Sequence, residues 1–241
     1  MTEQNAEQNV ATELRGWRLA GLHDNIVAFL GTALTAPLQI GNYASDGLVF
    51  GYCGNGNLSQ HLRRTDPGRK AVRERLKLLL GIAHGLEYIH SKRIIHGDLK
   101  AANVLFDNEH PKLCDLGSSV IDCGCFGDQV DRKGTTAWES PELWKGETYT
   151  RTRESDVWAF GCVALEVQMN TLPWDPKGNL RKVMNGQIKG GYPAQEAALN
   201  LGDDKALQGV WKMMMGCWQL DRQERPSMAS LAVRLKQLYE C

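Results

Sequence analysis

Between Ile95 and Leu105 the chain brings a carboxylate, an ammonium and a carboxamide (Asp98, Lys100 and Asn103) within six residues, just ahead of a strand. An amphipathic pattern precedes this segment and a strand pair follows it, so the fold must present a polar loop between a helix and two strands. Asp, Lys and Asn at this spacing suit three tasks in phosphoryl transfer: orienting a hydroxyl, neutralising phosphate charge and binding a metal ion. Further on, Lys112-Leu113-Cys114-Asp115-Leu116-Gly117 puts a second carboxylate at a strand end, with a glycine two residues later. That suits Mg²⁺, which prefers hard oxygens and takes only one or two carboxylates from protein. Taken singly, an H-x-D is common, and an Asp at a strand end is more often a turn former or a helix cap. The specificity lies in the two occurring in order.

The 241 residues are enough for one substantial core or two small ones. Lys and Arg number 28, as do Asp and Glu, so no global charge favours nucleic acid or an anionic membrane. No apolar run approaches the roughly 20 residues of a membrane span, and the start, MTEQNAEQNV, is no secretory signal. The seven cysteines are scattered, and the close pair Cys123 and Cys125 lacks a second pair to complete a zinc site. A reduced, cytoplasmic protein is the expectation.

Local patterns predict a polar tail over residues 1–9, a helix to about Leu22, and short strands over Ile26–Gly31 and Leu48–Tyr52. The stretch 33–46 reads as loop with a strand near Gln39–Ile40. Apolar residues at 72, 76, 79, 80, 83 and 86 predict a helix ending near Ser91. Asn103–Phe106 and Lys112–Cys114 read as strands joined by the turn 107–111, followed by more than twenty irregular residues. Helices are predicted over about Glu154–Met169, Asn179–Asn185, Asp204–Cys217 and Ser227–Tyr239.

With these elements in place the chain resembles a eukaryotic-type protein kinase from about Glu13 to Ser230. His96-Gly97-Asp98-Leu99-Lys100-Ala101-Ala102-Asn103 resembles the family's catalytic loop H-R-D-L-x-x-x-N, and Asp115-Leu116-Gly117 resembles D-F-G. Ser140-Pro141-Glu142 resembles A-P-E, Asp156-Val157-Trp158-Ala159-Phe160-Gly161 the D-x-W-x-x-G helix, and Cys217-Trp218 through Arg225-Pro226-Ser227-Met228 the closing C-W…R-P-S-M. The resemblance implies an α+β, protein-kinase-like fold: a flexible tail (1–9), a partial small β lobe (10–52), then a hinge and a mostly helical lobe (53–241). It implies ATP and Mg²⁺ as cofactors and a protein substrate, with no nucleic acid or membrane partner. Asp98 would position or deprotonate the substrate hydroxyl, Lys100 would balance γ-phosphate charge, and Asn103 and Asp115 would hold magnesium. Lys100 and the run Gly134-Thr135-Thr136-Ala137-Trp138-Glu139 resemble the serine/threonine type, in which Thr135 would bridge Asp98 and Lys100. Gly85-Leu86-Glu87-Tyr88-Ile89-His90 and Cys217-Trp218 resemble the tyrosine-kinase-like group. Arg225 would pair with Glu142, and Asp156 would anchor the central helix.

Leu48 to Leu58 resembles the hinge, with Phe50 as gatekeeper, the Cys53 backbone on the adenine edge and Leu105 as the apolar floor. Gly51, Gly54 and Gly56 have the wrong spacing and context for a phosphate loop. Glu13 resembles the glutamate that the family carries on its small-lobe helix. Twelve residues precede it, whereas the family's three strands with the glycine loop and lysine need about 25, and no Lys occurs before Lys70. Losing that lysine's contact, about 4 kcal/mol at 4 Å and an effective dielectric of about 20, would slow transfer about a thousandfold. A truncated gene model, a partner or upstream segment completing the lobe, and a pseudokinase scaffold are the alternatives. H-G-D without Arg also resembles small-molecule phosphotransferases, but the activation segment and the R-P-S-M ending argue for a protein substrate. Gly97 stands where the family has an arginine that pairs with a phosphorylated loop. Phosphorylation at Ser118, Ser119, Thr135 or Thr136 is therefore not expected to act through that pair.

Overall fold

The computed structural model describes residues 3–34, 46–64, 72–108, 110–122, 135–145, 150–174, 183, 185–187, 189–196 and 201–240. The strand expected near Gln39–Ile40, the Cys123–Cys125 pair and Gly134 lie outside these residues; of the helix expected over 179–185, residues 183 and 185 are described, both helical, and helix continues over 186–187.

Helix α1 runs Glu3–Ala20, so it begins inside the stretch expected to be a flexible tail. Glu, Gln and Ala favour helix without giving an apolar stripe, which is why periodicity does not reveal the start. Farther along, Trp17 and Ala20 are buried, and Gly21 ends the helix at a positive φ of 67°, its N–H returning to the Trp17 carbonyl. Strands β1 (Phe29–Leu34) and β2 (Asp46–Phe50) pair antiparallel in a two-stranded sheet. The strand expected from Ile26 starts later because the preceding residues pair elsewhere: Val27 N–H donates to the Leu113 carbonyl and Leu113 N–H to the Asn25 carbonyl. This stitch fastens the small sheet to the body.

The body begins with α2 (Leu58–Arg64) and α3 (Val72–Ser91), whose apolar positions Leu76, Leu79, Ile82, Ala83, Leu86 and Ile89 are all buried. Gly81 and Gly85, one turn apart, let the chain cross closely: a β-carbon on Gly81 would lie 2.6 Å from Pro111 and one on Gly85 2.7 Å from the Asn25 carbonyl. Strand β3 (Ile94–Ile95) leads into the polar loop, and β4 (Val104–Asp107) and β5 (His110–Leu113) form a hairpin in which Asp107 faces His110. Pro111 therefore lies inside β5, not in the turn. Strand β6 (Val120–Ile121) pairs with β3, giving order to the start of the stretch read as irregular.

After α4 (Glu142–Lys145) comes α5 (Arg153–Met169), the central post. A capping box between Thr152 and Ser155 starts it, and residues 155–168 are buried on every side, as a helix surrounded by others requires. Helix α6 (Lys205–Cys217), capped by Asp204, crosses α5 at Gly161, where a β-carbon would lie 2.7 Å from Trp218 Nε1. Helix α7 (Met228–Glu240) packs on α3. The core gathers Trp158, Phe160 and Trp218 with the buried face of α3. No helix among the described residues is long and apolar enough to cross a membrane.

Candidate active site

The polar loop hangs from the first turn of α5. Asp156, 1% exposed, accepts bonds from His90 Nε2 at 2.9 Å, His96 N at 2.7 Å and Gly97 N at 2.9 Å. Burial alone would raise its pKa, but the His90 contact and the amides outweigh it and hold the carboxylate below its ordinary value. His96 is fully buried and bridges the loop: the Asp98 N–H donates to Nδ1 at 3.3 Å, leaving Nε2 to donate to the Cys114 carbonyl at 3.1 Å. A second acid from α5, Glu166, accepts from Ala101 N at 3.1 Å and Trp138 Nε1 at 2.7 Å. Burial pushes Glu166 up to about 7 against those two bonds and the Lys100 charge.

With its backbone held this way, the loop aims Asp98 at Lys100, Asn103 and Thr135. Oδ1 of Asp98 accepts from Thr135 N at 2.9 Å and Thr135 Oγ1 at 2.8 Å. Oδ2 accepts from Lys100 Nζ at 2.7 Å and Asn103 Nδ2 at 3.2 Å, and Lys100 Nζ also reaches Thr135 Oγ1 at 2.7 Å. Asn103 Nδ2 donates to the Asp98 carbonyl at 2.8 Å as well, so its amide oxygen is left for another partner. The carboxylate has a fixed orientation and a counter-charge, which suits steering and accepting a hydroxyl proton.

Asp115 follows β5, tied to the loop by the Cys114 N–H on the Asn103 carbonyl. It is exposed at φ 63°, and among the described residues Oδ1 accepts only the Gly117 N–H, at 3.2 Å. Aspartate tolerates the left-handed region better than most residues, and the bend there turns the chain after β5. The oxygens of Asp115 and the spare amide oxygen of Asn103 form a donor set that fits Mg²⁺, which takes few protein ligands and completes its shell with phosphate and water. Glu13 comes from α1 to the same place: a β-carbon on Gly117 would lie 3.2 Å from Asp115 Oδ1 and 3.6 Å from Glu13 Oε2. Trp17 Nε1 donates to Glu13 Oε1 at 3.3 Å, and no described cation pairs with this carboxylate. Burial raises the pKa of Glu13; the Trp17 bond opposes that, and Asp115 adds to it.

Phe50 packs its ring on Trp17 at 4.8 Å and Phe29 at 5.6 Å. Cys53 is half-buried and follows Gly51, whose N–H donates to the Ala28 carbonyl at 2.8 Å. Leu105, also half-buried, bridges Asn57. Cys114 belongs to the same neighbourhood, pushed up to about 12 by burial and then by the Asp115 and Cys53 charges, so it stays a thiol. Cys53, Cys114, Cys162 and Cys217 are all free among the described residues. Arg225 grips Glu142 in a two-pronged pair of 2.7 and 2.8 Å and reaches the Glu154 and Gln219 carbonyls, a frame outside the Asp98 network. Burial would raise the Glu142 pKa, but Arg225 outweighs it and holds it low.

Sequence reasoning overlooked Glu166, which braces the loop from behind and accepts from Trp138, a residue read only as part of the run after Gly134. The signal for Glu166 was present, a lone acid in the apolar run Cys162–Val167. Arg151, which packs against Gly97, carried no such signal.

The protein kinase domain family matches residues 1–235. Among curated relatives, the serine/threonine/tyrosine-protein kinase HT1 of Arabidopsis thaliana is 28% identical over 220 residues, 91% of this chain and 52% of that protein. The serine/threonine-protein kinase CTR1, also of Arabidopsis thaliana, is 30% identical over 227 residues, covering 90% of this chain and 25% of that protein. The tyrosine-protein kinase SPK-1 of Girardia tigrina is 25% identical over 216 residues, 88% of this chain and 42% of that protein. The chain thus spans about half the length of HT1 and less of the other two.

Proposed function

The chain belongs to the protein kinase family, and on that premise we propose that it transfers the γ-phosphate of ATP to serine and threonine hydroxyls of cytoplasmic protein substrates. The observation that carries this reading is the closed set of bonds joining Asp98, Lys100, Asn103 and Thr135. Asp98 orients the hydroxyl and takes its proton as the new bond to the γ-phosphorus forms and the bond from that phosphorus to the β,γ-bridging oxygen breaks, with ADP as the leaving group. Lys100, released from its ground-state contacts, offsets charge on the transferring phosphoryl group. Thr135 keeps the two aligned, and Asn103 and Asp115 hold magnesium. When bound, the ion neutralises phosphate charge and orients the terminal phosphate. Phe50, Cys53 and Leu105 line the adenine side, while Asp156, Glu142 and Arg225 keep the frame. Serine/threonine over tyrosine rests on the Lys100–Thr135 contact.

Glu13 supports a second reading, a scaffold that binds a protein partner without catalysis, because its carboxylate meets Trp17 where the family pairs it with lysine. Under the kinase reading, a further segment or partner adds the nucleotide cover to the small sheet, whose Leu30 and Val49 are 65% and 39% exposed. Radiolabelled transfer to a generic protein substrate, followed by phosphoamino-acid analysis, tests the proposal: label on serine and threonine supports it, and label on tyrosine alone refutes the specificity. Absence of label, together with no thermal stabilisation by millimolar Mg–ATP, favours the scaffold.

A further inference from the structure

The residue after His96 is a glycine, and its surroundings leave no room for anything larger. Gly97 sits at φ 78° with its N–H on Asp156. A β-carbon there would run into the Ser118 carbonyl oxygen and lie 2.7 Å from Arg151 Cδ and 3.1 Å from Arg151 Nη1. Neither neighbour can easily retreat, since one is backbone and Arg151 is only 3% exposed. Arg151 fills the space beside Gly97 and donates from Nη1 to the Ser118 carbonyl at 2.6 Å. The opposite side of the same segment rests on α1, where a β-carbon on Gly16 would lie 2.7 Å from Ser119 Oγ. Downstream, β6 pairs with β3, and Asp122 N–H donates to the Arg93 carbonyl at 2.8 Å. Residues 116–122 are therefore wedged between Arg151 and Gly16, immediately behind Asp115.

We propose that Arg151 is a positioning residue that locks the segment after Asp115 onto the polar loop, and that Gly97 is the gap that admits it. In its consequence for transfer, the inference rests on the reading of Asp115 as a metal-binding carboxylate. Arginine is charged at every working pH, and its acceptor here is a main-chain carbonyl. The segment is thus set without an added phosphate, and Ser118 and Ser119 are buried within it. An arginine at position 97, the residue usual in the family, disrupts this site instead of restoring it, because Arg151 already occupies the space.

Hydrogen exchange on the full chain tests the lock directly. Arg151→Ala is expected to speed exchange of the 116–122 amides about tenfold or more, the worth of a charge-assisted bond, with α6 and α7 unchanged. Gly97→Arg is expected to do the same. The double variant should open the segment less than the product of the two single effects, because both break one contact. Arg151→Lys should restore part of the protection, a rescue that generic loss of packing would not give. If Arg151→Ala fails to fold, Arg151→Met keeps the buried stem and is read in the same way. Unchanged exchange in the Arg151 variants, faster exchange spread equally over α6 and α7, unchanged or slower exchange in Gly97→Arg, or a multiplicative double variant overturns the lock. Exchange requires no turnover, so a wild-type chain that transfers no phosphate would defeat the kinase reading and leave the lock standing.

Discussion

Asp98 and Glu13 are both carboxylates of the candidate site, yet their surroundings differ. The Asp98 side chain accepts from Lys100, Asn103 and both donors of Thr135, in a loop pinned through Asp156 and Glu166 to a helix buried on every side. Among the described residues Glu13 accepts from Trp17 alone, on a helix facing a two-stranded sheet. Two strands are marginal by themselves, and this pair is held by the aromatic cluster of Trp17, Phe29 and Phe50 and by the stitch at Asn25–Val27. The helical body thus fixes the loop around Asp98 through buried acids, whereas Glu13 and the small sheet are held more lightly.

The sharpest way to break this contrast is to remove a strut of the body. Arg225 is fully buried against Glu142, so Arg225→Ala leaves an uncompensated carboxylate and is expected to cost about 3–5 kcal/mol in urea unfolding. A loss below about 1 kcal/mol would show that the body is not framed by this pair.

A somewhat smaller effect comes through pH. Glu166 titrates near 7 when folded against an ordinary 4.5, so the native state keeps a proton that the unfolded chain has released. Its contribution is complete below about pH 4.5 and declines up to about pH 7, by about 3 kcal/mol in all. Glu142 and Asp156, held low, act in the other direction and withdraw stability on acidification below their ordinary values. Glu166→Gln should flatten the decline between pH 5 and 7 in thermal melts, and an unchanged slope would assign it to other groups.

The smallest effect belongs to the small sheet. Leu30→Ser and Val49→Thr should each change stability by less than about 0.5 kcal/mol, because Leu30 is largely in solvent and Val49→Thr keeps the shape of a partly exposed strand residue. A loss above about 2 kcal/mol would mean that something covers the sheet in solution.

The sequence made the body legible and the small side much less so. Helices α3, α5, α6 and α7 lie within a residue or two of their predicted ends, because apolar spacing is a local signal. The two-residue ladders β3 and β6 carry no period to read, and α1 begins in a polar stretch without a stripe. Asp98, Lys100 and Asn103 are close in sequence, so their grouping was legible, whereas Thr135 is brought to them by the fold. Arg151 was not visible, since an arginine ahead of a helix looks like any solvated charge until Gly97 and Ser118 are seen to enclose it.

The central claim is that Asp98 acts on the substrate hydroxyl, and the direct measurement is the rate of phosphate transfer to protein by wild type and by Asp98→Asn at matched folding. Asparagine retains the shape and one acceptor oxygen but loses the charge that draws the proton. The expected rate is lower by about a factor of a hundred to ten thousand. Equal labelling by the two proteins would contradict it.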